Sequence, residues 1–203
     1  SMAVASSVVF DKTGTLTKGE LNVVKARIMD NNIHKLNLLY SLLSASNHPV
    51  SKSIKKYLLK NYDLKEKKLA SVKNIEAKGM SAIYTNIEGK SFKLLGGNID
   101  LLKQNEIYYK FESNKTVYLF TINKKVIATF ELEDEIKDNS KELISYLQKH
   151  NIEVTMLTGD NENVAFNIAN QLNIKNYFSS QTPVSKAEYI KKLKSEDKVV
   201  IMV

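Results

Sequence analysis

Val8-Val9-Phe10-Asp11-Lys12-Thr13-Gly14-Thr15-Leu16-Thr17 is the stretch that decides the fold. A short apolar run passes straight into a carboxylate, a glycine and a threonine-rich turn. That pattern predicts a buried strand delivering Asp11 into a loop. In open α/β sheets, ligands bind outside the carboxyl ends of the strands, so Asp11 is expected to meet one. A reference aspartate has a pKa of ~3.9, so its side chain is ionised at neutral pH and can act as a nucleophile. Gly14 lets the backbone turn sharply and approach a phosphate closely. Threonine hydroxyls and loop N–H groups can donate to phosphate oxygens. A bare Asp-x-x-Gly reads as a turn; the whole string reads as a phosphate-handling loop.

Working outward, the far end of the chain completes the sheet. Asp138 to His150 is predicted as an amphipathic helix. Val154-Thr155-Met156-Leu157 is predicted as a strand, ending in Thr158-Gly159-Asp160-Asn161. Helices are expected over Glu162 to Leu172 and Val184 to Lys194, then a last apolar strand from Val199 to Val203. Strand, loop and helix in alternation imply parallel βα units. That tail lacks a central strand, and Val8 to Phe10 lacks a nearby partner. The simplest assembly joins both ends into one open sheet.

The middle differs. Ile33 to Leu43 has helical apolar spacing, and after Ser46-Asn47-His48-Pro49 a second helix runs through Ile54, Leu58 and Leu59. Ser46 or Asn47 is a candidate cap for it. Strand-like runs recur over Ser81 to Ile87, Ser91 to Leu95, Thr116 to Ile122 and Val126 to Phe130. Glu88-Gly89-Lys90 and Asn123-Lys124-Lys125 read as hairpin turns, and Ile99 to Glu106 as a helix. The fold class is therefore α/β, an open parallel sheet carrying an inserted α+β unit with an antiparallel sheet. The expected division assigns 1–25 and 127–203 to the former and 26–126 to the latter.

Composition narrows the partners. The chain has 203 residues, no cysteine, a net charge of +8, 43% hydrophobic and 26% charged residues. Absence of cysteine excludes disulfides and thiolate metal sites. No stretch approaches the ~18 apolar residues of a membrane helix. The basic balance favours an anionic partner or simply well-solvated helix faces. The lysines are dispersed, as in Lys65-Glu66-Lys67-Lys68, without interleaved aromatics, so no nucleic-acid partner is expected. Ser1-Met2-Ala3 reads as an expression remnant ahead of a fold beginning at Ser6.

Two further groups fit the Asp11 loop. Thr158 can donate a hydroxyl to a transferred phosphoryl group, and the helix N-terminus behind Asp160 favours anions. The competing reading of Asp160 or Asn161 is a helix cap alone. Lys186, in Thr182-Pro183-Val184-Ser185-Lys186-Ala187, can offset developing negative charge as a point charge near a helix start. Lysines are abundant here, and it is the pattern around Lys186 that singles it out.

Asp11 to Thr17, Thr158 to Asn161, and Pro183 with Lys186 and Ala187 resemble the phosphorylation-domain motifs of P-type ATPases, a branch of the haloacid-dehalogenase superfamily. Asp134-Glu135-Ile136-Lys137 resembles the segment that re-enters that domain after its insertion. Ser46-Asn47-His48-Pro49-Val50 resembles the Ser-x-His-Pro element of heavy-metal pumps, and Gly97-Asn98 their second nucleotide-loop signature. The resemblance spans about Val8 to Val203, and copper-transporting pumps are the nearest subgroup.

It implies a HAD-like, Rossmannoid phosphorylation domain, with Asp11, Lys12, Thr13, Thr158, Gly159, Asp160 and Lys186 as catalytic residues. It implies an inserted nucleotide-binding domain in which His48 orients the adenine of ATP and Gly79, Gly97 and Asn98 line the pocket. Mg2+ would be held by Asp11 and the Thr13 carbonyl. The partners would be ATP and the transmembrane and actuator domains of the same pump. The transported metal ion would bind elsewhere, and the chain would be a cytoplasmic domain of an integral membrane protein.

Three departures qualify the resemblance. Leu43 stands where the family has a Glu five residues before the His. Ala77-Lys78-Gly79 keeps only the second Gly of a Gly-x-Gly. The acidic loop that follows the last strand in the family lies beyond Val203, so this stretch is expected to bind ATP and turn it over poorly. Two rival readings use the same residues. In a soluble phosphatase of the superfamily a second Asp would stand two residues after the nucleophile, where this chain has Thr13. A non-catalytic nucleotide-binding regulatory domain would need only the insertion.

Overall fold

The computed structural model describes residues 6–196 and 198–203; the expression-remnant reading at 1–3 lies outside them. In chain order the elements are β1 (Ser6–Asp11), β2 (Thr17–Ile28), α1 (Ile33–Ser44), α2 (Pro49–Asn61), β3 (Ala70–Ile75), β4 (Gly79–Thr85), β5 (Ser91–Gly97) and α3 (Ile99–Gln104). There follow β6 (Thr116–Ile122), β7 (Lys125–Ile136), α4 (Ser140–Lys149), β8 (Glu153–Leu157), α5 (Glu162–Gln171), β9 (Asn176–Phe178), α6 (Pro183–Ser195) and β10 (Val199–Met202).

Two compact units result, one from 1–20 with 134–203 and the other from 21–133. The expected crossings after residues 25 and 126 fall inside β2 and β7. Both strands run unbroken from one unit into the other, so the hydrophobic pattern has no break there to mark the change.

In the discontinuous unit the sheet order is β10-β1-β8-β9, and its pairings are parallel. β1 lies between β10 and β8, and both its faces are covered. Val8 and Phe10 pack with Ile144 of α4, Ala165 and Ile168 of α5, and Leu172 just after it. Val9, on the opposite face, packs with Leu157 and with Tyr189, Ile190 and Leu193 of α6. Side chains alternate along a strand, so Asp11 shares the α6 face with Val9.

In the inserted unit the strand order is β2-β7-β6-β5-β4-β3, with antiparallel pairing from β7 through β3. One face packs against α1 and α2 through Leu39, Leu42, Leu43, Ile54 and Phe130. The other packs against α3 through Leu95, Leu101, Leu102 and Leu119. The β6–β7 hairpin closes on Asn123 and Lys124 with φ +47° and +67°, the double left-handed turn that matches strand twist.

The structure moves one cap. The residue capping α2 is His48, whose Nδ1 accepts from Val50 N–H at 3.2 Å. Ser46 instead accepts from His48 N–H at 3.1 Å. Pro49 occupies the first helical position, which makes the residue before it the cap. Three strands were not expected: β2 alternates only weakly, β3 is almost wholly exposed, and β9 is three residues long.

Candidate functional site

Asp11 ends β1 opposite Leu157, so Thr158 leaves β8 beside it at the carboxyl edge of the sheet. The Lys186 Nζ donates to both Asp11 carboxylate oxygens, at 3.1 and 3.2 Å. The meeting follows from periodicity. Tyr189 and Ile190 pack on the Val9 face, and Lys186 lies three and four positions earlier on the same side of α6. Thr182 and Ser185 form a capping box that fixes this first turn. The side chains of Lys186 and Asp11 are 21% and 37% exposed, so the pair is open to a reactant.

Lys12 and Asp160, both expected at the site, meet each other. Lys12 is buried and forms an ion pair with Asp160 at 2.5 Å, tying the loop after β1 to the loop after β8. The Thr158 hydroxyl accepts from Asp160 N–H and donates to its carboxylate, both at 3.1 Å. In this arrangement Lys12, Thr158 and Asp160 hold one another. Gly159 and Thr13 are exposed, and Gly14, at φ +78°, turns the loop. Asn161 caps α5 by accepting from Val164 N–H at 3.0 Å. In the first turn of α5, hydrogen bonds from Tyr177 and Ser179 hold the Glu162 carboxyl below its usual range.

Asp134 was legible in the sequence only as part of the re-entry segment. The structure gives it a specific contact. It is 7% exposed, accepts from the Thr17 hydroxyl at 2.6 Å and from Gly19 N–H at 3.0 Å. Thr17 in turn accepts from Gly14 N–H, with Lys12 C=O 3.2 Å from the same hydroxyl whose proton goes to Asp134, so Asp134 braces the whole loop. Asp134→Ala removes the carboxylate acceptor of the buried Thr17 hydroxyl and of the exposed Gly19 N–H, and is expected to cost about 2 kcal/mol, the worth of a charge-assisted bond lost without replacement. Urea unfolding would register the loss, and hydrogen exchange at Gly14 and Gly19 is expected to rise.

The inserted unit holds a cavity of about 300 Å3 that brings His48, Gly79, Gly97 and Asn98 together. Its floor is bare backbone where Gly79 pairs with Gly97 across β4 and β5. The Asn98 amide donates to Ala77 C=O at 2.9 Å, its carbonyl caps α3 by accepting from Leu101 N–H at 3.1 Å, and its own N–H bonds Lys78 C=O at 2.9 Å. Asn98 is thus the brace of the cavity's rim. With Nδ1 accepting, a neutral His48 ring carries its proton on Nε2. Leu43 is fully buried in the α1 core, which excludes it from any polar contact with a ligand. Ala77 sits at φ +61°, a left-handed conformation that costs an L-residue about 1 kcal/mol. Ala77→Gly is therefore expected to stabilise the chain by up to about 1 kcal/mol, read as a higher urea midpoint at unchanged slope.

Among the described residues no three His, Cys, Asp or Glu side chains cluster to hold a metal. The Asp11 carboxylate and Thr13 carbonyl are hard oxygens of the kind magnesium takes, two of the about six it requires. The donor chemistry fits that ion as far as it goes. No described helix is long and apolar enough to cross a membrane.

A carboxylate at the carboxyl edge of a parallel sheet whose chain is split by a large insertion defines a class. A model described as haloacid dehalogenase-like hydrolase matches residues 6–203, and the chain belongs to that family. Within it, the chain is 35% identical over 205 residues to the copper-exporting P-type ATPase of Staphylococcus saprophyticus, covering 97% of this chain and 25% of that relative. It is 30% identical over 214 residues to a probable cadmium-transporting ATPase of Alkalihalophilus pseudofirmus, covering 100% of this chain and 30% of that one. The solved catalytic domain of the CPx-ATPase CopB-B, reported to change conformation upon nucleotide binding, aligns with a TM-score of 0.67 at 26% identity. That alignment covers 98% of this chain and 70% of the other. The chain spans about a quarter of the length of the curated relatives it matches, 25% and 21% for two of them.

Proposed function

We propose that this chain is the catalytic segment of an ATP-driven heavy-metal pump, copper being the favoured ion, and that Asp11 is its phosphoryl acceptor. The observation that carries the reading is the Lys186 ammonium on both oxygens of an open carboxylate at the sheet's carboxyl edge. An Asp11 oxygen attacks the γ-phosphorus of ATP. The bond to the bridging oxygen breaks, ADP leaves with that electron pair, and a mixed anhydride remains on Asp11. Lys186 offsets charge on the phosphoryl oxygens, while Lys12, Asp160 and Asp134 keep the two loops in position. Magnesium held by Asp11 and the Thr13 carbonyl would neutralise phosphate charge when bound. The inserted unit supplies the nucleotide site, with His48 against the base and Gly79, Gly97 and Asn98 around it. Transport itself requires membrane and actuator domains of the same pump. In that pump the chain would lie on the cytoplasmic side, and the metal would bind outside it.

A calorimetric ATP titration tests the nucleotide half. Binding is expected in the micromolar-to-millimolar range, about −8 to −4 kcal/mol. His48→Asn keeps an acceptor at the α2 cap and removes the ring, so it is expected to lose most of that affinity at nearly unchanged stability. A parent chain that takes up no ATP would remove the inserted unit from the reading.

A further inference from the structure

Several polar groups that line the cavity in the inserted unit are already engaged. Asn98 braces the Ala77–Lys78 loop, His48 Nδ1 caps α2, and Lys78 Nζ donates to Gln104 at 3.0 Å. Two lining side chains are polar yet buried, Ser51 at 6% exposure and Tyr118 at 5%. A serine on a helix can turn its hydroxyl to the carbonyl one turn back. A tyrosine hydroxyl, at the end of a rigid ring, has no such recourse. The Tyr118 hydroxyl has no hydrogen-bond partner among the described residues, and it is not one of the fully enclosed unpartnered atoms there, which are Ser7 Oγ and Thr121 Oγ1; it opens on the cavity and is available to whatever the cavity holds.

The fold has made room for this hydroxyl. Tyr118 stands on β6, packs its ring against Phe130 with centroids 6.4 Å apart, and reaches across β5. A Cβ at Gly96 would collide with the hydroxyl and lie 2.7 Å from the ring carbon that bears it. Only glycine at 96 admits the tyrosine to the cavity. Burial pushes the phenol's pKa up, so the group stays neutral and can both donate and accept.

We propose that the Tyr118 hydroxyl hydrogen-bonds the heterocyclic base of the bound nucleotide, making Tyr118 the residue that holds the base edge over the glycine floor. This rests on the nucleotide reading of the cavity. The base, not the phosphates, is the partner, because the hydroxyl is uncharged and buried, whereas a triphosphate needs cations and solvent.

Tyr118→Phe tests it, since the ring and its packing remain and one hydroxyl goes. ATP and AMP are each titrated against parent, Tyr118→Phe and His48→Asn, with inorganic tripolyphosphate as the base-free probe. Tyr118→Phe is expected to weaken ATP and AMP by the same factor, about fivefold for one hydrogen bond, and to leave tripolyphosphate unchanged. The melting temperature is expected to hold, because the ring and its packing against Phe130 remain. Unchanged ATP and AMP affinity in Tyr118→Phe, with His48→Asn weakened, overturns this inference and leaves the nucleotide reading standing. Equal losses for all three ligands with a lowered melting temperature assign Tyr118 to packing and overturn it as well. A parent that binds neither nucleotide overturns both.

Discussion

Asp11→Asn is expected to abolish transfer of phosphate from ATP to the chain, by about 10^3-fold or more, the scale on which loss of a nucleophile acts. The substitution is isosteric, and an amide oxygen does not attack phosphorus to give a stable anhydride. Its effect on folding is expected to be small. The Asp11–Lys186 pair is partly solvated at 37% and 21% exposure, and ion pairs of that kind contribute about 0–1 kcal/mol. The two magnitudes separate function from stability. Incubation with radiolabelled ATP and an acid quench is expected to leave label on the parent, released by hydroxylamine, and none on Asp11→Asn, with melting temperatures within a few degrees. Hydroxylamine-sensitive label persisting in the variant would put the acceptor on another residue.

Gly97→Ala carries the largest expected structural effect. A Cβ there would overlap the Lys78 carbonyl oxygen and lie 2.9 Å from Gly79 Cα. Both are backbone atoms of the facing turn and strand, so neither can swing away as a flexible side-chain end does. β4 and β5 must separate where Gly79 and Gly97 pair, and the rim hydrogen bonds of Asn98 go with them. The expected cost is about 3 kcal/mol or more, in the range of overpacking a buried contact, with a fall in melting temperature of about 10 °C. Nucleotide affinity is expected to fall in parallel. Gly89→Ala is the control. Its Cβ would meet nothing within 4 Å, and only its φ of +82° is unfavourable. It is expected to cost about 1 kcal/mol, from backbone strain alone. Equal losses at 89 and 97 would mean that close approach of the strands is not what glycine serves at 97.

The sequence by itself determined the parallel α/β sheet and the α+β unit with its antiparallel sheet, and it pointed to the residues that the cavity and the Asp11 loop bring together. Those features are local. A strand running into Asp11, a glycine turn and periodic helices are written in neighbouring residues. His48, Gly79, Gly97 and Asn98 were legible through short motifs that resemble a known family. The edges of the units were not, because β2 and β7 cross them without a change of pattern. Nor was β3, whose side chains are solvated and show no alternation.

Only the tertiary structure decided which charges meet. Lys12, the chain neighbour of Asp11, is buried on Asp160, while Lys186, remote in sequence, takes the Asp11 carboxylate. Asp134 and Thr17, far apart in the chain, brace the loop between them, and Tyr118 reaches the cavity only because Gly96 on the next strand lacks a side chain. The physical reason is common to all of these. Hydrophobic periodicity fixes which face a residue takes on its own element, whereas a polar group's partner depends on how separate elements pack, and that is a property of the whole fold.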